Sequence, residues 1–125
     1  MKRIWTALLL GLTCALAVAV CSGPRTVSVQ GEVQNGDRER EWAVVYFLSW
    51  RKEHNGDYLK LSRQHMSSAI QAYLQIQVKI GHSYPDFYDI DKKRVQGCDF
   101  LREIDRDADS FGVALHDRSR AGCFN

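Results

Sequence analysis

The sequence has 125 residues, of which 17 are basic, 15 are acidic and 45% are hydrophobic. This length accommodates one small domain. The charges are interspersed and form no basic stripe, so neither nucleic-acid binding nor attachment to an anionic membrane surface is predicted.

The first 23 residues have the pattern of a secretory signal peptide. Lys2 and Arg3 precede an uncharged apolar run, and small residues follow that run at spacings that a signal peptidase accepts. An uncleaved membrane anchor is the alternative, because a run of about 17 residues is near the lower limit for spanning a bilayer. We favour cleavage, which predicts a secreted, extracellular protein with no membrane attachment after the signal is removed.

The four cysteines predict a single disulfide. Cleavage after residue 21 or 23 would remove Cys14 and Cys21 and leave Cys98 and Cys123 in an oxidising compartment. Cleavage after residue 19 would instead leave Cys21 as an odd thiol that could pair between chains.

A flexible arm and then a helix are predicted after the signal. Residues 24–37 have few apolar side chains and contain two glycines, as is typical of an arm. Residues 37–54 hold a long apolar run with acidic residues before it and basic residues after it, an order that suits a helix dipole. Asp37 is the expected N-cap of this helix. Gly56, which can adopt a positive φ, is expected to end it. A strand that begins at residue 43 is the competing prediction.

Beyond residue 57 the apolar residues alternate, which predicts strands. In the run AYLQIQVKIG, residues 72–81, four apolar side chains share one face. Weaker alternation predicts further strands at 57–64, 97–104 and 111–117, with a long irregular connection at 82–94. The order predicts an α+β fold in which one long helix packs across a four- to five-stranded antiparallel sheet. The helix residues expected to cover the sheet are Trp42, Val45, Tyr46, Ser49 and Trp50.

The sequence contains no recognisable catalytic or metal-binding constellation. Its four histidines are scattered, and none has a cysteine or carboxylate at the spacing of a zinc site. Asp105, Asp107 and Asp109 resemble the start of a calcium loop, but Ser110 stands where that loop needs glycine. No phosphate-binding glycine loop or nucleophile elbow occurs. The prediction is a protein that is not an enzyme and that needs no cofactor or metal.

Several local sequences, taken in order, resemble the secreted cystatins, a family of small cysteine-protease inhibitors. SWRKEHNGDYLKL is similar to the end of the cystatin helix, and YLQIQVKIG is similar to the third strand. CDF, from Cys98, is similar to the Cys-x-Phe of the fourth strand. The resemblance implies a cystatin-like domain over residues 38–125, in which a sheet wraps a helix and Cys98 pairs with Cys123.

The same resemblance implies which residues would contact a protease. SSAIQ, residues 67–71, stands where cystatins have a Gln-x-Val-x-Gly hairpin, and DRDADS stands where they have a Pro-Trp hairpin. Asn55 matches the residue that some cystatins present to the protease legumain. The predicted contacts with a papain-like protease are Gly31, Ser67, Ser68, Ala69, Ile70, Gln71, Asp105, Asp107 and Asp109.

The sequence as a whole predicts a secreted cystatin-like inhibitor with degraded papain-directed motifs. Three carboxylates replace an apolar wedge, and burying unpaired charges in a protease cleft is costly, so tight inhibition is not expected. The alternatives are a non-inhibitory binding module and a small secreted toxin or enzyme of unrelated fold. A papain-like protease or legumain is the predicted partner, and the predicted oligomeric state is a monomer or a domain-swapped dimer.

Overall fold

The described part of the chain is a bundle of three long helices followed by an extended C-terminal segment. The structure, a computed structural model, describes residues 29–123. Helix α1 spans Gln30–Glu53, α2 spans Gly56–Ile80 and α3 spans Phe87–Phe111. None of the described residues belongs to a strand, so the predicted α+β fold with an antiparallel sheet is wrong.

The predicted helix over residues 37–54 is confirmed as part of α1, which begins earlier, at Gln30. Residues 30–37, predicted to be part of a flexible arm, form the first turns of this helix. Asp37 is therefore an internal residue and not the N-cap. The positive φ at the C-terminal end belongs to His54, at 55°, whereas Gly56 is the first residue of α2. The predicted domain start at residue 38 thus falls inside α1, and the predicted signal peptide, 1–23, lies outside the described residues.

The alternating run 72–81 lies at the end of α2, where burial follows the helical period. Ile70, Tyr73, Ile76 and Gln77 are buried at spacings of three and four residues. Val78, which alternation places on a covered face, is 79% exposed. Two periods coexist in this stretch, and the helical one prevails because it continues the pattern of the preceding turns. The predicted strand at 57–64 is also in α2, that at 97–104 is in α3, and residues 112–117 belong to the extended C-terminal segment.

Helix α2 lies at the centre of the bundle and packs closely against both other helices, whereas α1 and α3 approach each other less closely. Both close crossings use a glycine. A Cβ atom at Gly36 would lie 2.8 Å from Cε1 of Tyr73, and one at Gly97 would lie 2.9 Å from Cγ1 of Ile70. The largest core side chains with less than 2% exposure are Trp50, Tyr73, Leu59, Met66, Ile70, Ile76, Leu101 and Ile104.

One polar cluster, next to the contact between Gly36 and Tyr73, links all three helices. The Tyr73 hydroxyl on α2 donates to the Asp37 carboxylate on α1 at 2.5 Å, and Lys93 on α3 donates to the same carboxylate at 2.9 Å. Burial, followed by the hydrogen bond to Asp37, raises the pKa of Tyr73. Burial also acts to raise the pKa of Asp37, but the bonds from Tyr73 and Lys93 outweigh it and lower that pKa.

The C-terminal segment, residues 112–123, returns along the groove between α2 and α3 and is closed by a disulfide. Val113 lies near Gly56 at the start of α2, and Gly122 lies against Ile70 near its middle. The predicted pairing of Cys98 with Cys123 is confirmed, with 5.6 Å between their Cα atoms. For a closed loop of this size the chain-entropy model gives a stabilisation of about 3.5 kcal/mol.

Two buried arginines also hold the backbone of the C-terminal segment. Arg63 is 4% exposed and donates to the carbonyl oxygen of Ser119 at 3.1 Å. Arg94 is 6% exposed and donates to the carbonyl oxygen of Gly122 at 2.5 Å. A buried guanidinium is tolerated only when it is paired and hydrogen-bonded, so the segment and the two arginines stabilise each other.

Candidate binding surface

A group of stacked rings lies along the outer edge where α1 meets α2. We call Trp42, Tyr46, Tyr58 and His65 the aromatic face. The Tyr46 ring is central: its centroid lies 5.8 Å from that of Trp42, 5.4 Å from that of His65 and 6.2 Å from that of Tyr58. The interplanar angles are 16° to 28°, so the rings form a nearly parallel, offset stack.

The helical repeat places these side chains together. Trp42 and Tyr46 are four residues apart on α1, and Tyr58 and His65 are seven residues apart on α2. Residues at these spacings project from one side of a helix. Because α1 and α2 are antiparallel neighbours joined by a short turn, the two pairs meet across the helix–helix contact.

Carboxylates border the aromatic face. The Glu39 carboxylate lies 2.5 Å from Nδ1 of His65. The charge of Glu53, together with its hydrogen bond to the phenol, raises the pKa of Tyr58. Trp42 remains 47% exposed. Because aromatic ring faces also carry negative electrostatic potential, the exposed ring of Trp42 and the carboxylate of Glu53 attract positively charged groups.

Open clefts lie elsewhere on the described surface. One of about 530 Å³ separates α2 from the C-terminal segment and is lined by Lys60, Ser67 and His116, among others. Others of about 380 Å³ and 310 Å³ lie at opposite ends of the α1–α3 contact. Within residues 29–123, no group of three histidine, cysteine or acidic side chains is arranged to hold a metal ion. Nor is any helix in that range long and apolar enough to span a membrane.

The predicted first contact loop, residues 67–71, is in the middle of α2. Ala69 and Ile70 are fully buried in the core. The Ser68 hydroxyl donates to a backbone carbonyl one turn earlier, and Gln71 donates to the carbonyl oxygen of Ala121. Only Ser67 and Ser68 reach a cleft, so this segment forms no protruding hairpin.

The three aspartates of the predicted second contact loop lie in α3. Each makes a different contact. Asp105 pairs with Arg63, and Asp107 accepts a hydrogen bond from the indole N–H of Trp50. Asp109 pairs with Arg118 in the C-terminal segment. Asp105 and Asp107 therefore connect elements of the bundle, and none of the three aspartates lies in a hairpin turn.

The two remaining predicted residues occupy helix ends. Gly31 is exposed in the first turn of α1. Asn55 is the N-cap of α2, and its side chain accepts the backbone N–H of Asp57 at 3.0 Å. Its turn joins two helices instead of a helix and a strand. Legumain binding at Asn55 stays a prediction.

Sequence reasoning missed the aromatic face because it assigned Trp42 and Tyr46 to the core and placed Tyr58 in a predicted strand. Of the five residues expected to cover a sheet, only Trp50 is fully buried, while Trp42 and Val45 are exposed. The buried residues of α1 are Trp50 and three residues outside that set: Gly36, Ala43 and Phe47. The signal that could have found the aromatic face is the heptad spacing of Tyr58 and His65.

Comparison of the chain with protein-family models gives no match. Comparisons with curated proteins and with solved structures also give no match.

Proposed function

We propose that this protein is a secreted, noncatalytic binding module that uses its aromatic face to bind a lysine- or arginine-rich segment of another protein. The stack of Trp42, Tyr46, Tyr58 and His65 with its border of carboxylates is the observation that carries the proposal. Tryptophan and tyrosine are enriched among the residues that dominate binding energy in protein interfaces.

The chemistry of this surface favours a basic partner. A guanidinium or ammonium group over an exposed aromatic ring gains about 0.5–1 kcal/mol, and more when the contact excludes water. Nearby carboxylates add a long-range attraction that raises the association rate. A segment with several cations could place one over Trp42 and another beside Glu53.

The proposal of secretion rests on the sequence and on the disulfide. The N-terminal pattern is that of a cleaved signal, and a disulfide such as Cys98–Cys123 persists in oxidising compartments.

The cystatin resemblance is not carried into this proposal, because the sheet and hairpins that it implied are absent from residues 29–123. Inhibition of papain-like proteases stays an untested prediction. A non-inhibitory binding module, the alternative drawn from the sequence, does not depend on a sheet.

Fluorescence anisotropy with labelled peptides tests the proposed binding. We expect a peptide of eight arginines to bind the protein and a matched peptide of eight glutamates not to bind. Trp42→Ala should weaken binding of the basic peptide about fivefold, because it removes the most exposed ring of the stack.

Val78→Ala provides the control, since Val78 is an exposed apolar residue on a different face of α2. It should leave the affinity unchanged. Equal binding of the basic and acidic peptides, or equal affinity of the wild-type and Trp42→Ala proteins, would contradict the proposal.

A further inference from the structure

A second stripe of exposed residues runs along α1, next to the aromatic face and away from the core. It consists of residues spaced alternately three and four apart, which therefore lie in one line on the helix. We call it the outer stripe: Arg38, Glu41, Val45, Leu48 and Lys52.

The middle of the outer stripe is apolar. Val45 is 50% exposed and Leu48 is 61% exposed, although the bundle buries the other side of α1 through Ala43 and Phe47. Val44 and Trp42, also exposed, flank this pair and widen the apolar surface. Single exposed apolar residues are normal, but a contiguous patch typically marks an interaction site.

Opposite charges flank the apolar pair of the outer stripe. Glu41 precedes the apolar pair and Lys52 follows it. Among residues 29–123 neither side chain has a salt-bridge partner. A partner helix that complements this surface would carry a base opposite Glu41, an acid opposite Lys52 and apolar residues between them.

The outer stripe has that complementary pattern when it is reversed. We propose that a second copy of this chain binds here, with the two α1 helices antiparallel about a two-fold axis between positions 46 and 47. In this register Glu41 of each copy faces Lys52 of the other, and Val45 faces Leu48. The interface is self-complementary and closes as a dimer.

A parallel arrangement would place like charges beside each other at both ends, which disfavours it. The outer stripe covers 15 residues, or about 22 Å of helix, so the contact is at the small end of specific interfaces. A dissociation constant in the micromolar range is therefore expected. This inference goes beyond the proposed function and does not rest on it.

Sedimentation velocity of the chain without its predicted signal peptide, at protein concentrations from about 1 to 500 μM, tests the proposal. We expect a reversible monomer–dimer equilibrium. Leu48→Glu should leave the protein monomeric throughout, because it places a charge at the centre of the contact. Val78→Glu, at an exposed apolar site on α2, should leave the equilibrium unchanged.

A charge exchange tests the register. Glu41→Lys alone and Lys52→Glu alone should each weaken the dimer about tenfold, whereas the double variant should restore it. A wild-type chain that is monomeric at the highest concentration would overturn the proposal. A dimer that persists in the Leu48→Glu variant, as a domain-swapped dimer would, would also overturn it. So would a double variant that dimerises no more tightly than either single variant. Circular dichroism of every variant checks that the fold is retained.

Discussion

Arg63 and Asp105 form an ion pair that is almost completely removed from solvent, with 4% and 5% of their surfaces exposed. Nε of Arg63 lies 2.8 Å from the Asp105 carboxylate, and Arg120 of the C-terminal segment approaches the other carboxylate oxygen at 3.3 Å. The pair therefore connects α2, α3 and the C-terminal segment. Removing one member of such a pair leaves an uncompensated buried charge.

We expect Asp105→Ala to destabilise the protein by about 3–5 kcal/mol, because the Arg63 guanidinium would lose its counter-ion. Urea denaturation at neutral pH measures this loss. Asp109→Ala is the matched control: this aspartate also lies in α3 and also pairs with an arginine, but its pair with Arg118 is exposed.

Arg118 donates to the Asp109 carboxylate at 2.7 Å, but both side chains are exposed, so solvent screens the pair. We expect no measurable change in the urea midpoint for Asp109→Ala. Equal losses for the two variants would show that the buried pair has no special structural role.

At the scale of whole helices, the α1–α2 crossing depends on a residue without a side chain. A Cβ at Gly36 would meet the rigid ring of Tyr73, whose hydroxyl is fixed by its bond to Asp37. The ring cannot give way without breaking that bond. Gly31 lies in the same helix, and a Cβ there would have no neighbour within 4 Å.

This contrast predicts opposite effects for the same substitution. Gly31→Ala should stabilise the protein, by up to about 1 kcal/mol, because alanine favours the helix. Gly36→Ala should destabilise it by about 1–3 kcal/mol, because overpacking outweighs the same gain. Thermal unfolding of the two variants measures both. A stabilising effect of Gly36→Ala would contradict the close crossing at this position.

The sequence predicts α1 and the disulfide but neither of the other helices. α1 is recognisable because its apolar run is too long for a half-covered strand and its flanking charges suit a helix. In α3, by contrast, two positions that face inwards are the charged residues Arg94 and Asp105, which hide the helical period. Pro85 and the aspartates that follow it favoured a long loop, whereas the structure has only a short connection, residues 81–86.

The candidate surface could not be predicted for a related reason. Composition places large aromatic residues such as Trp42 in the core, and only the packing of α1 against α2 shows that its ring stacks on Tyr46 at an exposed edge. The pairing of each aspartate in α3 with a distant partner depends in the same way on tertiary contacts. The disulfide was predictable because it required only a cysteine count and a compartment.

Considered as a whole, the molecule separates the features that stabilise it from its proposed interaction surfaces. The C-terminal segment, the disulfide and the two buried arginines are in the groove between α2 and α3. The aromatic face and the outer stripe are on α1 and the adjoining edge of α2. A dimer formed through the outer stripe would present two aromatic faces, and a long basic segment that reached both would bind more tightly through avidity.

Backbone chemical shifts of residues 72–80, measured by nuclear magnetic resonance, test the fold most directly. This stretch alternates in sequence and is helical in the bundle, so it distinguishes three helices from a sheet covered by one helix. Both proposed surfaces require α1 to pack on a helical α2. We predict continuous helical shifts through Ile80. Extended shifts with cross-strand contacts in this stretch would contradict the bundle and the surfaces built on it.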